Sequence, residues 1–289
     1  MRRPKTIPPS IPFEQLATRP DKRMVYIAGF QHYAWYPNCC VQARIDLTEA
    51  DALRKELNRA DPDPASRITF NHLINKAVAN ALRHHLLFNT KRTWRDTFLV
   101  YPHIDVANVV DVEGMATQVV VPDADRLSLR ELARLSHRQV STRRTTMDKR
   151  MDRFERLLKS ARVFGALAWA LPYLLRVLRD YSHTSAVEYL DGRPGTIMVT
   201  NPGTLGVQDC KAMLFFGSRM GCLRVMAMEQ EPVIDDDGQV RFRKVLPMGL
   251  DYDQRLCDAG PAARLLADIR RNLENPRRYC LGPVDEETN

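Results

Sequence analysis

One stretch limits what this chain can fold into more than any other. Val245, Leu246, Met248 and Leu250 end an apolar strand, a charged turn runs from Asp251 to Asp258, and Leu265, Leu266, Ile269 and Leu273 then recur at helical spacing. Pro261 falls where the first turn of that helix tolerates a missing N–H. A polar turn clamped between two rigid elements is a place where side chains are held well enough to do chemistry. The same pattern also describes an ordinary solvated connector, and the local residues leave both readings open.

At 289 residues the chain has ample length to bury a core, as one large domain or two small ones. Its apolar fraction of 44% and charged fraction of 27% place it among soluble globular proteins. A net charge of +8 favours polyanions, whether nucleic acid, acidic lipid or the phosphates of a coenzyme. No compact Lys/Arg run with interleaved aromatics is present, so no nucleic-acid partner is expected. Cys39, Cys40, Cys210, Cys222, Cys257 and Cys280 form no C-x-x-C pair, which argues against zinc and against a disulfide framework. Cys257 lies within the charged turn and reads either as a nucleophile or as an inert buried thiol. Asp235, Asp236 and Asp237 lack the EF-hand spacing, and no metal site is expected. Arg2, Arg3 and Lys5 precede no apolar core, so no secretory signal is read and the expected compartment is the cytoplasm.

Taken in order, residues 1–20 carry five prolines and suggest an extended arm. Val41 to Leu47 alternates as a half-buried strand does. Thr48 and Asp51 have capping-box spacing and open a helix through Ala60, ended by Asp61-Pro62-Asp63-Pro64. A second helix starts near Thr69 to Asn71, with Leu73, Ile74, Ala77, Val78, Ala81 and Leu82 on one face and His84 and His85 closing it. His103 to Val110 and Thr117 to Val121 form a β segment, after which Ser128 caps a third helix. Thr196 to Thr200 is a strand ended by Asn201-Pro202-Gly203. Asp235 to Gly238 turns a hairpin between Pro232-Val233-Ile234 and Val240-Arg241-Phe242.

The turn resembles a known signature. Asp253-Gln254-Arg255-Leu256-Cys257-Asp258-Ala259 is similar to the Asp-His-Arg-x-x-Asp-Gly pattern of the 2-oxoacid dehydrogenase E2 acyltransferase catalytic domain, a relative of chloramphenicol acetyltransferase. Ile45 to Thr48, Ala52 to Asn58, Ile74 to Leu82, Val119 to Asp125 and Thr196 to Gly203 resemble further blocks of that domain, in the same order, over residues 22 to about 281. Two positions depart from it. Gln254 stands where the family has its general-base histidine, and Ala259 where it has glycine. An amide has no usable basic nitrogen, so Gln254 takes no proton from a thiol or hydroxyl.

The resemblance implies an α/β fold of the chloramphenicol-acetyltransferase-like type, a mixed sheet flanked by helices. It implies one domain over 21–283, after the arm at 1–20 and before a tail at 284–289. The arm is too short for a lipoyl domain, so a stand-alone catalytic domain is expected, in a homotrimer with its site between subunits. The co-substrate would be an acyl thioester of coenzyme A or of a carrier, with no covalently bound cofactor. By the same match Thr200 donates to the oxyanion, a role worth ~3 kcal/mol when well aimed. Asn201 beside it would bind the thioester carrier, and Asp258 would hold the site's shape through Arg23 or Arg255. His32, His103, His137 and His183 are the candidates for a substitute base.

A connector at about 141–189 exceeds the family's usual length. Its apolar run from Val163 to Leu178 is broken by Pro172 and Arg176, and is shorter than the ~20 residues that cross a bilayer. Arginines around it fit a helix over 157–181 lying on an acidic membrane surface. A packed helix pair, or a shelter for a long acyl chain, are the alternatives. Three functional readings follow: an acyltransferase with an altered site, a non-catalytic trimeric acyl-CoA-binding or scaffold protein, and an enzyme reusing the pocket for other chemistry.

Overall fold

A computed structural model describes residues 11–12, 38–92, 97–112, 115–139, 195–212, 220–234, 237–254 and 257–281. The connector at 141–189, with its 157–181 segment, and Arg23, His32 and Arg255 lie outside the described residues. No helix among the described residues is long and apolar enough to cross a membrane.

The architecture is a mixed sheet with helices on one face. Its strands are β2 (Asn38–Asp46), β5 (Val106–Val112), β6 (Met115–Val121), β7 (Ile197–Thr200), β8 (Gly221–Val225), β9 (Glu229–Ile234) and β10 (Val240–Asp253). Their order is β2-β10-β8-β7-β5-β6, with β9 pairing the first half of β10. β7 runs parallel to β5 and to β8, and the remaining pairs are antiparallel. β1 (Ile11–Pro12), β3 (Thr90–Arg92) and β4 (Thr97–Val100) make a separate three-stranded sheet, so part of the proline-rich arm pairs as a strand.

The helices are α1 (Thr48–Ala60), α2 (Phe70–Leu82), α3 (129–139), α4 (Ala259–Glu274) and the single turn α5 (Pro276–Tyr279). The apolar stripe read from the sequence is the buried face of α4: Leu265, Leu266, Ile269 and Leu273 pack with Leu73, Ile74, Ala77 and Val78 of α2. α4 lies against β2 and β10 and α2 against β5, and Ile45, Leu223, Leu250 and Tyr252 belong to the same core on that face of the sheet. Buried polar groups inside this layer are paired, as burial requires. Asn272 Nδ2 donates to the Ala77 carbonyl at 3.0 Å, and Asn58 exchanges bonds of 2.9 and 2.8 Å with the backbone of Ile68.

The helix caps differ in part from the sequence reading. Ser128 and Glu131 do form a reciprocal cap on α3, the carboxylate accepting from the Ser128 N–H at 2.8 Å. At α1 the N-cap position falls on Leu47, and Asp46 just before it accepts from the N–H and hydroxyl of Thr48 at 2.8 and 2.6 Å. Asp51 is drawn elsewhere. Burial works against its charge, yet Lys244 at 2.7 Å and Arg54 at 2.6 Å hold the carboxyl well below its ordinary range. Asp51 therefore ties α1 to β10, a long-range use that capping-box spacing hides.

Candidate active site

Thr200 ends β7, an interior strand between β5 and β8. Chain geometry just beyond it is rigid. Asn201 Nδ2 donates to Asn71 Oδ1 at 2.6 Å, which ties the strand end to the first turn of α2. The next residues wind into a 3-10 turn, Pro202–Leu205, whose Gly203 lies so close to β8 that an added Cβ would sit 2.0 Å from the Met226 carbonyl oxygen. Only glycine permits that approach, and the Asn-Pro-Gly order is its sequence signal. Thr200 is thus held, half-buried, at a fixed strand end with its side chain on the sheet face opposite the helices.

Gln254 directly follows β10, at the other end of the sheet. Its Oε1 accepts from the Cys39 thiol at 2.8 Å, which orients the amide toward β2. Tyr252 and Cys257 are buried alongside, 3% and 2% exposed. Burial, followed by the neighbouring Cys39 and Cys257, pushes the Tyr252 phenol up to about 12, so it stays protonated. Asp258 is the N-cap residue of α4, in extended conformation and exposed.

The fold does not bring Thr200 and Gln254 together within one chain. Thr200 lies opposite Arg224, and Arg224 opposite Gly249, so Thr200 is level with Gly249 two strands away. Gln254 is five residues beyond Gly249. At about 3.4 Å per residue and about 4.8 Å per strand, the separation is roughly 19 Å. Of the histidines weighed as substitute bases, His103 is buried with Nε2 3.3 Å from Asp105 Oδ2, just before β5 and away from Thr200's end of the strands. His137 is exposed on α3, and His183 is outside the described residues. His85 pairs with Asp268 at 2.8 Å, which makes it a clamp between the end of α2 and α4.

Sequence reasoning missed the charged centre between the two ends. Arg224 on β8 is 1% exposed and pairs through Nε with Asp251 on β10. Its other nitrogens reach the Cys210 carbonyl, Asp209 at 3.3 Å and the Cys40 sulfur at 2.6 Å. Burial alone would lower the guanidinium, but Asp251 and Cys40 hold it above its usual value. Burial also lifts the Asp251 carboxyl, and the guanidinium restrains that rise. A signal was available in Gly249. A glycine inside a strand marks a close approach, and here an added Cβ would sit 2.6 Å from Arg224 Nη2. Among the described residues no group of three or more His, Cys, Asp or Glu side chains gathers as a metal site.

These features define a class first: a mixed α/β sheet with helices on one face and polar strand ends on the other. Solved structures share it. The cubic core of a pyruvate dehydrogenase multienzyme complex superposes with a TM-score of 0.65 at 18% identity, covering 90% of this chain and 91% of that one. The dihydrolipoamide acetyltransferase of Azotobacter vinelandii gives 0.61 at 20% identity, covering 90% and 91%. The family model for the 2-oxoacid dehydrogenases acyltransferase catalytic domain matches residues 30–152 and 176–281, and the chain belongs to that family. A curated relative, the dihydrolipoyllysine-residue acetyltransferase component of the acetoin cleaving system of Bacillus subtilis, is 25% identical over 242 residues, 83% of this chain and 50% of the relative. The chain spans about half the length of the curated relatives it matches.

Proposed function

We propose that this protein is an acyltransferase acting on an acyl thioester of coenzyme A or a carrier thiol, with its site formed between protomers of a homotrimer. The placement of Thr200 carries this: a hydroxyl at an interior strand end, fixed by the Asn201–Asn71 bond and the Gly203 contact. The roughly 19 Å between Thr200 and Gln254 in one chain supports a site whose halves come from different subunits. The Azotobacter relative is the subject of work on a serine, a histidine and an asparagine in its catalytic mechanism.

In this proposal an acceptor thiol attacks the thioester carbon, and Thr200 donates to the oxyanion of the tetrahedral intermediate. Asn201 binds the thioester carrier and Asp258 keeps the turn in shape. The carbon–sulfur bond to the donor then breaks, and the acceptor's proton ends on the departing thiolate. Gln254 occupies the base's position without accepting that proton, which costs about 10²–10⁴ in rate. A thiol acceptor tolerates the loss, being a few per cent ionised at neutral pH, and a hydroxyl does not.

A second reading rests on the same amide: a non-catalytic trimer that keeps the acyl-thioester pocket as a binding or scaffold module. Free-thiol release from acyl-CoA, followed with the wild type and Gln254→His, separates the two. Turnover by the wild type supports the enzyme. Turnover by the histidine variant alone refutes it and leaves the binding module.

A further inference from the structure

A cavity of about 520 Å³ opens between the end of α2, the turn before α3 and the α4–α5 corner. Its wall carries five basic side chains, Lys76, Arg83, Arg126, Arg271 and Arg278, against two carboxylates, Asp125 and Glu131. The two carboxylates offset only part of that charge. Glu131 is committed to the α3 cap, whose Ser128 N–H and hydroxyl hold its carboxyl below the usual range. Asp125 is 3% exposed and pairs with Arg83 at 3.2 Å.

The cations are also gathered rather than spread. Lys76, 4% exposed, and Arg83 both donate to one acceptor, the Asp125 carbonyl oxygen, at 3.2 and 2.8 Å. Arg271 and Arg278 flank the Tyr279 ring, each guanidinium carbon 5.3 Å from its centroid. Arg271 has Asp268 at 3.0 Å, whereas Arg126 and Arg278 make no ion pair among the described residues. A concave surface with such an excess of cations, Lys76 buried among them, concentrates field on an anion. Guanidinium forks match phosphate oxygens in geometry as well as charge.

We propose that this cavity is a binding site for a phosphorylated small molecule, carried on a surface separate from Thr200 and Gln254. The fitting chemistry is a phosphate or diphosphate group bridged by Arg126 and Arg278 over Lys76. Its source is either a free phosphate compound or the phosphate end of a nucleotide.

Isothermal titration of the full chain at low ionic strength tests this, with inorganic phosphate, pyrophosphate and adenosine 3′,5′-bisphosphate as probes and a hexaglutamate peptide as the non-phosphate polyanion. The expected result is saturable binding at one site per chain, weakened at least tenfold by Arg126→Ser combined with Arg278→Ser. Both arginines are exposed, so an unchanged thermal melt confirms that the variant is folded. Bisphosphate binding tighter than pyrophosphate assigns the site to nucleotides, and the reverse order to free phosphate compounds. Three results overturn the proposal: no saturation by any phosphate probe, equal affinity in the double variant, or peptide binding as tight as pyrophosphate. Failure here leaves the acyl-transfer proposal untouched, because thiol release is measured separately.

Discussion

Stability should fall between pH 6.5 and about 4 because of one residue, His72. It lies in the first turn of α2, 9% exposed, and its Nδ1 accepts from the Thr69 N–H at 3.1 Å. That bond needs the neutral ring, and burial lowers the pKa from 6.5 to about 4. A depressed folded-state value means the unfolded chain binds the proton first. The stabilisation is therefore complete above pH 6.5 and is lost as pH falls toward 4. At 1.36 kcal/mol per unit the loss is about 3 kcal/mol, with a limiting slope of about 1.4 kcal/mol per pH unit. Urea unfolding of the wild type and His72→Gln at half-unit pH steps reads it directly, with protomer concentration fixed. Glutamine keeps an acceptor for the Thr69 N–H and does not titrate. The two stability curves should converge by about 3 kcal/mol from pH 7 to pH 4. Parallel curves would show that His72 is not held neutral, and the account of this helix start would fall.

Three further outcomes follow from the site. Asp251→Ala leaves the Arg224 guanidinium buried without its carboxylate and should cost about 3–5 kcal/mol in chemical denaturation. Gly249→Ala drives a methyl into the same guanidinium and should cost about 1–3 kcal/mol by overpacking; a loss below about 0.5 kcal/mol would mean that the strand moves aside. Gly203→Ala presses on the Met226 backbone, so it should speed amide exchange across Asn201 to Val207 and lower any thiol release, while exchange in α4 stays unchanged.

The elements legible in the sequence are those whose pattern is local. The stripe of α4, the apolar face of α2, the alternation of β2 and the Ser128 cap all rest on neighbours within one or two turns, and each stands in the fold near its expected bounds. β10 is legible as two pieces, the hairpin strand at Val240-Arg241-Phe242 and the apolar strand end at Val245 to Leu250, and not as one strand, because its first half is exposed and its second half buried. β8 escaped notice because a buried arginine interrupts its apolar run, and its partner Asp251 is 27 residues away. Asp51 reads as a cap because spacing is visible in sequence and the distant Lys244 is not.

By itself the sequence determined the fold family, through ordered motifs, and the chemical poverty of Gln254, since an amide lacks a basic nitrogen wherever it sits. Tertiary structure decided which residues meet. Register along β7, β8 and β10 puts Thr200 and Gln254 at opposite ends of one sheet, and the same register stacks Arg224, Asp251 and Gly249 into a buried charge centre between them. The reason is that strand pairing joins residues by position across the sheet, a relation that spacing along the chain does not encode.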